Sequence, residues 1–103
     1  MFLNNLFFKK HMELSKDDLE AQIVWKLFHN GKFGKGHFTE ETILKGIPKN
    51  MWGDARATIK DLIKKDIIQY KDHDHGGAYS LNNQNKILWK DIIDKKMKEL
   101  GII

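Results

Sequence analysis

The apolar positions along the chain fall into stretches of different period, and each period predicts an element. From Lys16 to Asn30, Leu19, Ile23 and Leu27 recur at i, i+4 and i+8 with Val24 and Phe28 beside them, which is one broad face of an α-helix. Trp25 is expected at the edge of that face. Ser15 followed three residues later by Asp18 is an N-cap pattern, Asp17, Asp18 and Glu20 complement the positive end of the helix dipole, and Gly31 is a stop. A shorter helix is predicted from Glu40 to Lys45, capped by Thr39 and ended by Gly46, with Ile43 and Leu44 as its buried residues. Within Pro48 to Asp66, Trp52, Ala55, Ile59, Leu62 and Ile63 lie within about 100° of arc when each residue advances by about 100°. That stripe predicts a helix over Lys49 to Lys65 with one core-facing side. Gly46-Ile47-Pro48 is the three-residue turn ahead of it, because Pro48 suits a first helical turn and holds Ile47 extended.

The period then changes from helical to alternating. Ile67-Ile68-Gln69-Tyr70-Lys71 and Ala78-Tyr79-Ser80-Leu81 are β-branched and aromatic, and Asp72-His73-Asp74-His75-Gly76-Gly77 separates them, so a hairpin is predicted. A last helix is predicted from Gln84 to Leu100, capped by Asn82-Asn83, with two adjacent apolar rows. Leu88 and Ile92 form one row; Trp89, Ile93, Met97 and Leu100 form the other. One row suffices to pack on a domain of this size, and the second, with Ile102 and Ile103, is either surplus surface for a homodimer or further core.

In element order and apolar pattern, GIPKNMWGDARATIKDLIKKDIIQYKDHDHGGAYSLN, Gly46 to Asn82, resembles the winged helix-turn-helix family of DNA-binding domains, in which a recognition helix leads directly into a two-stranded wing. The resemblance spans Ser15 to Asn82 and includes no base-reading signature. It implies a mainly α fold with a small β-wing (α+β), a winged helix-turn-helix with an additional C-terminal helix. The expected organisation is an N-terminal extension over 1–14, a winged helix domain over 15–82 and a C-terminal helix over 83–103. It also implies a very short strand at His37-Phe38 that pairs with the wing. The first eleven residues read equally as a dimer arm or as an extension ahead of a start at Met12.

Composition narrows the chemistry. At 103 residues, 41% hydrophobic and 31% charged, the chain fits one folded domain with its own core. The absence of cysteine removes disulfides, thiolate metal sites and cysteine nucleophiles together. The apolar N-terminal stretch of MFLNNLFFKKHM is too short and too interrupted for a signal segment or membrane span, so a cytoplasmic protein is expected. The net charge of +4 is unevenly placed: residues 47–71 hold six basic and three acidic side chains, whereas 15–46 and 72–103 each balance. On the predicted recognition helix, Lys49, Arg56, Lys60 and Lys64 share one flank with Gly53, and Asp54 and Asp61 lie on the far side. A basic patch on one element suits phosphate contacts.

The candidate partner is therefore double-stranded DNA, and the family resemblance implies a helix docked in the major groove with wing contacts to backbone. In that arrangement Lys49, Lys60, Lys64 and Lys71 would meet phosphates, Asn50 an adenine edge, Arg56 a guanine edge, and His73 or His75 the wing contact. Arg56 is the single arginine beside seventeen lysines, so only it offers a planar fork, and its azimuth lies close to the core edge. His73-Asp74-His75 has metal-ligand chemistry but too few companions for a site, since His11, His29 and His37 are scattered. The glycine-spaced Lys32 to Gly36 loop lacks the strand and the Lys-Ser/Thr end of a phosphate loop. Asp17-Asp18 and Glu40-Glu41 are accounted for by helix N-termini. No enzyme and no cofactor is expected. The rival reading is a winged helix used as a protein interaction module in a transcription or replication assembly; RNA stacking on Trp25, Trp52 and Trp89 is a third, weakened because each sits on or beside an apolar stripe.

Overall fold

In a computed structural model describing residues 15–34, 36–73 and 76–101, four α-helices accompany a two-stranded antiparallel sheet: α1 (Lys16–His29), α2 (Glu40–Leu44), α3 (Trp52–Lys64), β1 (Ile68–His73), β2 (Gly76–Leu81) and α4 (Lys86–Glu99). The fold is mainly helical, with the small sheet making it α+β. The N-terminal extension and Ile102-Ile103 lie outside the described residues. No helix among the described residues is long and apolar enough to cross a membrane.

The first helix is the centre of the packing. Its start is the expected capping box, with the Asp18 amide donating to Ser15 Oγ at 3.1 Å and the Ser15 amide to Asp18 Oδ2 at 3.2 Å. Its end is closed by Gly31 at φ 69, where the Lys32 amide reaches back to the Leu27 carbonyl. Leu19, Ile23, Val24 and Leu27 are buried as their spacing requires. Ala21, Gln22 and Trp25 are buried too, because α1 is packed on more than one side: α2, α3, α4 and β2 all rest on it. Lys26 adds a polar tie, its ammonium donating to the Thr42 and Lys45 carbonyls at 2.6 Å each and so satisfying the open end of α2. Burial, with the nearby Lys45 charge, lowers the Lys26 pKa.

The link from α2 to α3 is longer than the predicted three-residue turn. Residues 45–48 lead into a 3₁₀ turn at Lys49–Met51, and the α-helix proper begins at Trp52. Met51 enters the core from this turn, which anchors the non-helical segment. At the other end of α3, Asp66 takes the left-handed conformation at φ 59, and the Ile67 and Asp66 amides bond the Leu62 and Ile63 carbonyls. The Asp66 carbonyl is clamped by the side-chain amides of Asn82 and Asn85, at 3.0 and 2.8 Å. This fixes the direction in which the chain leaves α3 and enters β1.

The hairpin runs further than its composition predicts. β1 continues through Asp72 and His73, β2 starts at Gly76, and the register pairs Tyr70 with Tyr79 and Asp72 with Gly77. At Gly77 the Tyr70 ring occupies the space a Cβ would take, so any side chain there would have to displace the ring. The expected short strand is present as a bridge between Phe38 and Tyr79, whose amides and carbonyls exchange bonds of 2.9 and 2.8 Å. The C-terminal helix starts later than predicted, at Lys86, after a 3₁₀ turn at Asn83–Asn85 capped by the Asn82 side chain. Its Trp89, Ile93 and Met97 row is buried and Leu100 packs against the core; Ile92 is half-buried, and Leu88 is 48% exposed. Ile87, outside both rows, is 84% exposed.

Candidate nucleic-acid interface

The buried arc of α3 is turned from its predicted centre. Ala55, Ile59 and Leu62 are buried, and so is Thr58, whose hydroxyl satisfies itself on the Asp54 carbonyl at 2.8 Å. Trp52 and Ile63, expected within the stripe, are half-buried at its edge. The rotation exposes the flank beyond them: Gly53, Arg56, Ala57, Lys60 and Lys64 all face solvent. A Cβ at Gly53 would meet nothing within 4 Å, so small residues leave the backbone approachable between the long basic side chains. Lys49 and Asn50, in the 3₁₀ turn ahead of the helix, are exposed as well.

Charge pairing sorts these cations. Lys65 is held by Asp61 at 3.1 Å and faces Glu20 at 3.6 Å, and Asp61 also faces Lys16 at 3.5 Å. The Lys65 hydrogen bond, against a smaller opposing effect of burial and with help from Lys16, lowers the Asp61 pKa. The acidic flank of α3 is thus directed at α1. Lys49, Lys60, Lys64 and Lys71 have no ion-pair partner among the described residues. The C-terminal helix also carries lysines without an ion-pair partner among the described residues, but Asp91, Asp94 and Glu99 are interleaved with them, so no single-sign arc forms there.

Between this flank and the hairpin lies a cleft of about 270 Å³, lined by Glu40, Arg56, Ile59, Lys60, Ile63 and Tyr79. Register and the alternation of a strand put Tyr70 and Tyr79 on the face of the hairpin that borders it, their rings 5.0 Å apart. The Tyr70 hydroxyl donates to Asp72 Oδ1 at 2.7 Å; that bond, then burial, raises its pKa. Burial raises the Tyr79 pKa, reinforced by the negative charge of the Glu40 carboxylate across the cleft.

The predicted site residues are only partly brought together. Arg56, Lys60 and Lys64 share the exposed flank, with Lys49 and Asn50 in the 3₁₀ turn that precedes α3. Lys71 is exposed but pairs with Ala78 on the opposite face of the hairpin from Tyr70 and Tyr79, away from the cleft. His73 ends β1, and His75 lies outside the described residues with Asp74. Arg56 is ion-paired, its Nε donating to Glu40 Oε1 at 2.6 Å. Glu40 and the two tyrosines are the additions that the sequence reading missed. Alternation of Tyr70 and Tyr79 was a usable signal for the tyrosines, whereas Glu40 was fully accounted for as a helix N-terminal residue. No group of three or more metal-ligating side chains occurs among the described residues. In comparisons with known proteins, no family model, curated protein or solved structure matches this chain.

Proposed function

We propose that the protein binds double-stranded DNA as a winged helix-turn-helix with an added C-terminal helix, acting as a transcriptional regulator. The order α1, short bridge, α2, α3, hairpin supports the winged helix reading. The observation that carries the function is the exposed α3 flank, where Lys60 and Lys64 stand without ion-pair partners among the described residues, around the small residues Gly53 and Ala57, while the acidic flank is turned to α1. Cations not spent on internal carboxylates are available to replace the counterions of a phosphate backbone. In this reading α3 enters the major groove with Lys49, Lys60 and Lys64 on phosphates, Asn50 and Arg56 at base edges, and the hairpin against backbone through Lys71 and its tip.

The test is a double replacement, Lys60→Gln with Lys64→Gln. Affinity should fall for all duplex sequences alike, and the dependence of log affinity on log salt should shallow by about two contacts' worth, roughly 0.9 per phosphate. An unchanged slope would remove these lysines from the interface. The exposed Ile87 and Leu88 favour a protein contact as the companion surface, and a second copy is the occupant that would place two recognition helices on successive half-sites.

A further inference from the structure

The chain's single arginine does not project freely from α3. Beyond its 2.6 Å bond to Glu40, the Arg56 guanidinium carbon lies 5.8 Å from the centroid of the Trp52 ring. Trp52 is fixed in turn, its indole nitrogen donating to the Ile47 carbonyl at 2.8 Å. Glu40 opens α2 and lines the same cleft as Tyr79 of β2. The guanidinium is therefore held from two sides, by the Glu40 carboxylate of α2 and by the Trp52 ring of its own helix.

The bond to Glu40 uses Nε alone, so both terminal Nη groups of Arg56 have no partner among the described residues. Those two nitrogens form the fork that matches O6 and N7 of guanine. An arginine already confined by a carboxylate and a ring loses little further side-chain freedom when it makes that contact. The same carboxylate repels phosphate, which penalises any docking register that puts backbone in the cleft instead of a base edge. Holding the fork and rejecting the wrong register act in the same direction.

We propose that Glu40 is a positioning residue that determines specificity, fixing Arg56 to read one guanine edge and lowering affinity for duplexes that lack it. This deepens the duplex DNA reading and rests on it. The experiment is selection by the full chain from a duplex pool randomised over about one helical turn, roughly ten base pairs, with pool affinity measured across salt for wild type, Glu40→Ala, Glu40→Gln and Arg56→Lys. Wild type should enrich guanine at one position by about tenfold. Glu40→Ala should lose that enrichment while binding the unselected pool more tightly. Glu40→Gln, which keeps an acceptor but not the charge, should also bind the pool more tightly and keep part of the preference. Arg56→Lys should lose the preference without the gain in pool binding. Guanine enrichment retained in Glu40→Ala, or an equal loss of affinity for all sequences as a merely structural role would give, overturns the inference and leaves the DNA reading standing. Absence of salt-dependent pool binding by the wild type overturns both.

Discussion

Among single residues, burial separates the contributions that periodicity alone ranks together. Leu62 and Trp52 belong to the same predicted stripe, yet Leu62 is wholly buried and Trp52 half-buried at the edge with its indole spent on the Ile47 carbonyl. Leu62→Ala should cost about 2 to 5 kcal/mol through lost transfer energy and the cavity left behind. Urea or guanidinium melts will show this as a fall in midpoint at unchanged slope; a loss below about 1 kcal/mol would mean that α3 presents another face to the core. Thr58 shows why the phase was only approximately legible. A hydroxyl counts as polar in any apolar pattern, but one that bonds its own helix at i−4 can be buried, and the face turns toward it.

For the elements, legibility followed locality. The capping box at Ser15, the stop at Gly31 and the apolar rows of α1 and α4 involve residues within a few positions of one another, and each was readable. The hairpin is longer than its composition predicts because Asp72, His73, Gly76 and Gly77 have turn composition yet pair across the strands, Asp72 with Gly77 and His73 with Gly76, and the Tyr70 ring lies over Gly77 where a side chain would stand. The tie between α1 and α4 was not legible at all: Asp18 and Lys96 form an ion pair across a sequence separation that no local pattern encodes, with Glu99 at 2.6 Å on the same ammonium. Burial raises the Asp18 pKa, but the bonds from Lys96 and from the Ser15 amide and hydroxyl outweigh it, and the net value lies below the ordinary 3.8. Asp18 therefore stabilises the fold fully above that ordinary value, and the contribution disappears as pH falls through the lower folded value. Asp18→Asn retains a cap acceptor and loses the charge. It should cost up to about 1 kcal/mol near neutrality, with the difference from wild type closing in acid. A difference that persists unchanged at pH 2 to 3 would contradict the pairing.

At the scale of the whole molecule, the helices and hairpin present two distinct surfaces. One is the basic flank of α3 with the cleft beside β2, and the other is the exposed start of α4 at Ile87 and Leu88. The first was legible as a charge excess over residues 47–71 but not in its detail, because the Glu40 to Arg56 pair joins separate helices and emerges only from their packing. The second was legible as a surplus of apolar positions, although the most exposed of them, Ile87, stood outside both predicted rows. If a second copy covers this surface, sedimentation at tens of micromolar should show a dimer, the regime in which an interface of micromolar affinity is occupied. Leu88→Glu should then return a folded monomer, and a monomeric wild type would assign the face to another use.

The most direct measurement is the binding of the wild-type chain to random duplex DNA across a range of salt concentrations. With Lys49, Lys60, Lys64 and Lys71 neutralising phosphates, log affinity should fall linearly with log salt at a slope of roughly −3 to −4, about 0.9 per contact. A slope near zero, or no binding at low salt, would contradict duplex DNA as the partner and leave the folded domain as an interaction module.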